Sequence, residues 1–199
     1  YTALAALTVA RLVLFPRRLA ADFADHARGS GYFTTVAGTC VLGSQCLLVA
    51  DWRGAAETLF AAGLALWVVV MYAFFAAVIV RETKPTLEQG INGAWLIATV
   101  ATQSVAVLAL GLGDPFGWPA EAVAFGALVF FLVGCMLYLA IITLIFYRFT
   151  FLPLATAALT PPYWISMGAV AITTLAGSSL VLARQRSPLL LELAPFLKG

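Results

Sequence analysis

Apolar residues fill six long stretches of this chain, and small polar residues return only in every second one. The stretches read as Thr2 to Phe15, Tyr32 to Ala50, Glu57 to Val80, Ala94 to Leu112, Ala120 to Tyr147 and Tyr163 to Ala183. Each is helical in length, and the longest are continuous enough to cross the ~30 Å of a hydrocarbon core. The first, third and fifth are almost purely greasy, whereas the second, fourth and sixth each collect Thr, Ser, Gln and Gly. At ~100° per residue, Thr34, Thr35, Gly38, Thr39, Gln45 and Cys46 share an arc of about 140°. Thr99, Thr102, Gln103 and Ala106 fall within about 100°, as do Ser166, Thr173, Thr174 and Gly177. A polar stripe inside a membrane must meet a partner helix or a water-filled path. The alternation therefore predicts greasy helices facing lipid and striped helices facing inward.

Composition supports this class and removes others. Hydrophobic residues make up 63% and charged residues 10% of the chain, with a mean hydropathy of +1.01, far from a soluble domain with ~25% charged residues. A β-barrel needs alternating segments of about ten residues, not runs such as Thr58 to Val80. The expected fold is an all-α, polytopic membrane protein in a single transmembrane domain, residues 1–199. The net charge of +2 is too small and dispersed to expect nucleic acid. Tyr1 stands inside an apolar helix, and Leu189 to Lys198 reads as a proline-broken approach to a further span, so the chain is expected to be a fragment.

Between the first two stretches lies a linker, residues 16–31, where Arg17, Arg18, Asp22, Asp25, His26 and Arg28 mix with Leu19 and Phe23. It is expected to lie along the membrane interface as a short amphipathic helix, with His26 solvated and Arg11 snorkelling to the headgroups. The Pro16 to Gly31, Arg81 to Gly93 and Arg148 to Pro162 loops hold three, two and one Lys or Arg. The opposite loops hold Arg53, none, and then Arg184 and Arg186. That asymmetry places the linker on the cytoplasmic side.

Short polar triplets recur two stretches apart. Gly43-Ser44-Gln45, Thr102-Gln103-Ser104 and Gly177-Ser178-Ser179 each precede an apolar run. Repeated hairpins of one greasy and one striped helix would form a ring with the striped helices inside. The pore-lining candidates are Thr35, Gly38, Thr39, Gln45, Thr99, Thr102, Gln103, Ser166, Thr173 and Gly177. Hydroxyls and the amide groups of Gln45 and Gln103 can donate to an anion that has shed part of its water. Glycines let a solute approach the backbone. No charged residue or histidine sits deep in a striped stretch, which favours a passive pore over a proton-coupled carrier. No metal site, cofactor site or catalytic set is expected: Cys40, Cys46 and Cys135 lack partners at ligand spacing and read as packing residues. Two alternatives stand beside transport, a membrane-embedded enzyme and a non-transporting assembly subunit whose stripes only pack helices.

Three segments carry a resemblance. Val36-Ala37-Gly38-Thr39-Cys40-Val41-Leu42-Gly43-Ser44-Gln45, Asn92-Gly93-Ala94-Trp95 leading to Val100-Ala101-Thr102-Gln103-Ser104, and Pro161-Pro162-Tyr163-Trp164-Ile165-Ser166-Met167-Gly168-Ala169 resemble the tellurite-resistance/C4-dicarboxylate transporter family. That family includes the plant slow anion channels and fungal malate and sulphite permeases. The resemblance implies ten helices, five hairpins around a central pore lined by the odd-numbered helices, and a homotrimer with one pore per subunit. The six stretches here correspond to helices two to seven, so the striped ones become three, five and seven. It further implies a plasma (inner) membrane protein moving chloride, nitrate, sulphite, tellurite-related anions or C4-dicarboxylates such as malate. The family's gating phenylalanine falls beyond Gly199. Its pore helices are often kinked by proline, which Tyr32 to Ala50 and Ala94 to Leu112 lack; Gly38 and Gly43 permit bending in the former.

Overall fold

The computed structural model describes residues 1–153 and 161–198, and no strand occurs among them. The α-helices among the described residues are, in chain order, α1 (Thr2–Leu14), α2 (Pro16–Phe23), α3 (Phe33–Leu48), α4 (Arg53–Val80), α5 (Leu87–Gly90), α6 (Ile97–Leu112), α7 (Ala120–Phe151), α8 (Ile165–Leu182) and α9 (Pro188–Lys198). Their boundaries follow from local chemistry. Pro16 occupies the first turn of α2, where its missing N–H is no loss. Gly113 ends α6 at a φ of +80°, open to glycine because it has no Cβ. Pro161 and Pro162 open a 3₁₀ turn that leads into α8.

The architecture is that of an all-α polytopic membrane protein, with some boundaries displaced from expectation. Among the described residues four helical stretches are long and apolar enough to cross a membrane: Arg53–Val80, Gly93–Leu112, Ala120–Phe151 and Pro161–Leu182. Helix α1 has 13 residues and α3 has 16, about 20 and 24 Å at 1.5 Å per residue; α3, like α6, is preceded by a 3₁₀ turn, Gly29–Tyr32. Helix α4 begins at Arg53 instead of Glu57, and α7 runs past Tyr147 to Phe151, taking Arg148 out of the expected loop. The remainder of that loop, residues 154–160, lies outside the described residues. The segment expected to be broken by proline is helical, with Pro195 inside α9.

Helix α6 is the hub. It packs on α3, α4, α7 and α8, and 72% of its membrane-length window is buried against 17–22% for the other three long helices. Those three bury one side and expose large apolar residues on the other, among them Val68, Val69 and Tyr72 on α4 and Met136 and Leu139 on α7. A face of that kind has no cost in hydrocarbon. Helices α3 and α4 approach closely at Gly63, where an added Cβ would sit 2.6 Å from the Sγ of fully buried Cys40. Small residues at such crossings let helices gain dispersion contact.

At the end nearest residues 16–31, hereafter the linker end, the loops interlock. Phe74 stands edge-on to Phe33 and Trp95, with centroids 5.5 and 5.1 Å away. The Trp95 indole N–H donates to the carbonyls of His26 and Gly90 at 2.8 and 3.1 Å. Asn92 caps the 3₁₀ turn Gly93–Leu96 by accepting from the Ala94 N–H at 2.9 Å. Arg148, 8% exposed, donates from Nη1 to the Ile91 carbonyl at 2.6 Å and to the Tyr163 hydroxyl. Helix α2 places Asp22 between Arg11, with which it forms an ion pair, and Arg28 at 3.7 Å. Arg11 is therefore tied to α2 instead of standing free.

His26 is not the solvated residue the linker composition predicts. It is partly buried beside Trp95, and among the described residues its Nδ1 has no hydrogen-bond partner. Burial, then the positive charges of Arg81 and Lys84, lower its pKa from 6.5 against the opposing pull of Asp25. The neutral ring is the form the fold accepts. Below about 6.5 the unfolded chain binds the proton more readily, so the stabilisation is complete above that pH and is lost as pH falls through the lower folded value. Hydrogen exchange in residues 16–31 is expected to speed up between pH 7 and pH 5, and His26→Gln to flatten that dependence. Equal pH profiles for the two proteins would remove His26 as the cause.

Candidate functional site

Helices α3, α6 and α8, the three striped ones, are each separated from the next along the chain by one long helix, α4 or α7, and α6 packs on both of the others. Between them lies a cleft of about 500 Å³, lined by residues of all three helices and by Arg186. Its polar lining comes from the recurring triplets. Gln45, Ser104 and Ser179, the third residues of the three triplets, all face it, joined by Ser44. Three residues further along each helix, Leu48, Val107 and Leu182 face it too. One turn the other way stand Val41 and Leu175. The register of the repeat thus sets a polar layer between two apolar ones, as residues spaced i, i+3 and i+4 on one helical face must.

Hydroxyls in this layer are already engaged as donors. Ser104 donates to the Val100 carbonyl at 2.7 Å, Ser179 to Leu175 at 2.8 Å and Ser44 to Cys40 at 3.2 Å. A hydroxyl has one hydrogen, so each presents lone pairs to the cleft until it rotates. Gln45 is exposed, and its amide makes no side-chain hydrogen bond among the described residues, leaving two N–H donors available. Among the described residues Arg186 is the single ionisable one lining the cleft, and no carboxylate lines it.

The ten residues expected to line a path are divided by the structure. Gln45 lines the cleft. Thr35 lines a second cavity of about 460 Å³ at the linker end, together with Thr8, Arg11, Asp22, Arg28, Tyr32 and Thr34. Gly38 is exposed on the same side of α3, with nothing within 4 Å of an added Cβ. Thr39 is buried and bonded to the Thr35 carbonyl and the Tyr1 hydroxyl, both at 2.7 Å.

The stripe of α6 is turned elsewhere. Thr99, Thr102 and Gln103 are fully buried. The Trp67 indole N–H of α4 donates to the Thr102 hydroxyl at 2.9 Å. Gln103 donates from Nε2 to the Phe131 carbonyl of α7 at 3.2 Å and occupies the space an added Cβ at Gly134 would need, 2.4 Å from Nε2. None of the three lines the cleft. On α8, Gly177 packs against the ring of Phe131, while Ser166 and Thr173 donate to the carbonyls of Tyr163 and Ala169 at 3.0 and 2.7 Å. The polar arc of α6 therefore meets the greasy helices, whereas on α8 Gly177 meets Phe131 and Thr174 is exposed; the residues that meet the cleft, Ser104 and Ser179, lie outside both arcs. The repeat register was the sequence signal for these two serines. Nothing local marks Arg186, which sits in a 3₁₀ turn after α8.

Two segments of the resemblance come into direct contact: an added Cβ on Gly93 would lie 2.2 Å from the Pro162 carbonyl oxygen. A family model described as a voltage-dependent anion channel matches residues 1–194. An uncharacterized membrane protein of Mycobacterium tuberculosis, in strains CDC 1551 and H37Rv, is 53% identical over 45 residues, 23% of this chain and 23% of the relative's own length. No solved structure matches the chain. With a polytopic helical fold, a cleft among its striped helices and a family match over nearly its whole length, the chain belongs to the voltage-dependent anion channel family.

Proposed function

We propose that the cleft is one wall of an anion path, and that the chain is part of a plasma (inner) membrane channel or transporter for small inorganic anions or C4-dicarboxylates. The observation that carries this reading is the convergence of Gln45, Ser104 and Ser179 in a cleft whose one ionisable residue is a cation. An anion crossing the polar layer would take hydrogen bonds from the Gln45 amide and from any hydroxyl that rotates to donate. The apolar layers of Leu48, Val107 and Leu182, and of Val41 and Leu175, would strip part of its water. Binding of that kind is weak enough to release the ion again, which conduction requires. Membership of a channel family, not an enzyme family, fits the lack of a catalytic set in the sequence. The domain is read as a single transmembrane unit over 1–199, with residues 16–31 lying along the cytoplasmic interface. The assembly is read as a homotrimer.

The packing of Thr102 on Trp67 and of Gln103 on Gly134 favours a second role for part of the stripes, that of holding helices together. We assign that role to Thr99, Thr102, Gln103 and Gly177, keep Thr35, Gly38 and Gln45 for the path with Ser104 and Ser179 added, and leave Thr39, Ser166 and Thr173 at its margin. Gln45→Leu in the full-length protein is expected to lower anion flux about tenfold, the equivalent of ~1.4 kcal/mol at the barrier, as for one lost hydrogen bond to an ion. Flux assays across chloride, nitrate, sulphite and malate, normalised to protein in the membrane, check it. Wild-type flux in the variant would take Gln45 out of the path.

A further inference from the structure

Three helix C-termini converge on the far mouth of the cleft, opposite the linker end. Leu48 of α3, Gly111 of α6 and Leu182 of α8 all line it within a turn of their helix ends. Each C-terminus carries the equivalent of roughly half a negative charge on its unpaired carbonyls. Left alone, such a mouth repels anions, and the apolar layer beneath it offers little dielectric screening.

Two arginines meet two of these three ends. Arg186 donates from Nη1 to the Leu110 carbonyl of α6 at 2.7 Å, and Arg184 donates from Nη1 to the Val181 carbonyl of α8 at 3.1 Å. Neither is paired with a carboxylate among the described residues. Arg53, the other arginine at this end, is by contrast held by Glu57 at 3.0 Å and by Asp114 at 2.7 Å, two carboxylates against its one charge. The end of α3 is closed by backbone alone, through the N–H groups of Val49 and Trp52. Of these cations, only Arg186 faces the cleft.

We propose that Arg186, with Arg184 behind it, is the anion-admitting element of the far mouth: the two guanidinium groups outweigh the C-terminal dipoles of α6 and α8, and Arg186 places positive charge where the α6 end meets the cleft. This rests on the reading of the cleft as an anion path. The recognised ligand class is a small anion such as chloride, nitrate, sulphite or malate, met at the entrance by charge before the Gln45 amide meets it by hydrogen bonding. The unused N–H groups of the Arg186 fork supply donors of the planar kind that suits oxyanions.

The test is single-channel or liposome flux of the full-length protein, using whichever of chloride, nitrate, sulphite and malate carries the largest wild-type signal. Arg186→Gln removes the charge and leaves a shorter, neutral polar side chain in its place. At ~50 mM salt the variant is expected to conduct roughly three- to tenfold less than wild type, with a lower anion-to-cation permeability ratio, since focused charge raises local ion concentration by at least that much. At about 1 M salt, where the screening length shrinks to ~3 Å, the difference should close. Arg186→Lys should restore most of the low-salt conductance. Equal conductance of Arg186→Gln and wild type at low salt overturns the proposal and leaves the path standing. A loss of the same size at every salt concentration overturns it too, because a merely structural defect behaves so. Absence of any anion signal in the wild-type protein defeats the anion path itself.

Discussion

Replacing Gly93 with alanine is expected to be the most damaging single-methyl change in this chain. The new Cβ would lie 2.2 Å from the Pro162 carbonyl oxygen, 2.4 Å from the carbonyl carbon and 2.6 Å from the Tyr163 Cα. All three are backbone atoms, so no side chain can swing aside. The 3₁₀ turns Gly93–Leu96 and Pro161–Trp164 must separate by about an ångström. That would disturb the Asn92 cap, the Arg148 bonds to Ile91 and Tyr163, and the entry of α8 together. A cost of about 3 kcal/mol is expected, the upper part of the range for overpacking. Gly168, three residues into α8, has nothing within 4 Å of an added Cβ, and Gly168→Ala is expected to be neutral or slightly stabilising through helix propensity. Thermal unfolding of the two variants in detergent separates them. Matching midpoints would show that the two turns do not bear on each other.

The second large effect is functional and turns on adjacent residues of α6. Ser104 faces the cleft and Gln103 faces α7. Ser104→Leu replaces a hydroxyl by a branched apolar group at the polar layer, between Gln45 and Ser179, and is expected to reduce anion flux more than tenfold while the protein still inserts and folds. Gln103→Leu removes one bond to the Phe131 carbonyl, but also a buried Oε1 with no partner among the described residues. The two changes offset, so its stability should stay within about 1 kcal/mol of wild type and its flux close to wild type. Flux normalised to membrane protein, measured for both variants side by side, tests the azimuth of α6 directly. A block in Gln103→Leu with normal flux in Ser104→Leu would mean that the path runs on the other side of the helix.

Much of the molecule could be read before any coordinates. Continuous apolar runs specify membrane helices because no other backbone arrangement except a closed barrel satisfies its hydrogen bonds in hydrocarbon. Pro16, Gly113 and Pro161-Pro162 stop or start helices by steric rules that act within a few residues. The polar triplets are local as well, and their spacing carried Gln45, Ser104 and Ser179 into one cleft. The conserved length of one turn between a triplet and its apolar partner, as in Ser104 and Val107 or Ser179 and Leu182, needs only the helical period.

What the period does not contain is direction. It groups Thr99, Thr102 and Gln103 on one face of α6 but says nothing of what that face meets, since small polar residues suit a helix crossing and a water-filled path equally well. The tertiary packing of Trp67 and Gly134 against that face turned it away from the cleft. The same holds for the contact of Gly93 with Pro162 and for Arg148 and Arg186, whose partners lie 57 and 76 positions away along the chain. Local sequence determined that this protein is a bundle of membrane helices with three polar-striped members. Which face of each striped helix meets the cleft, and which cations stand beside it, were decided by side chains distant in sequence, because only packing fixes the rotation of a helix about its own axis.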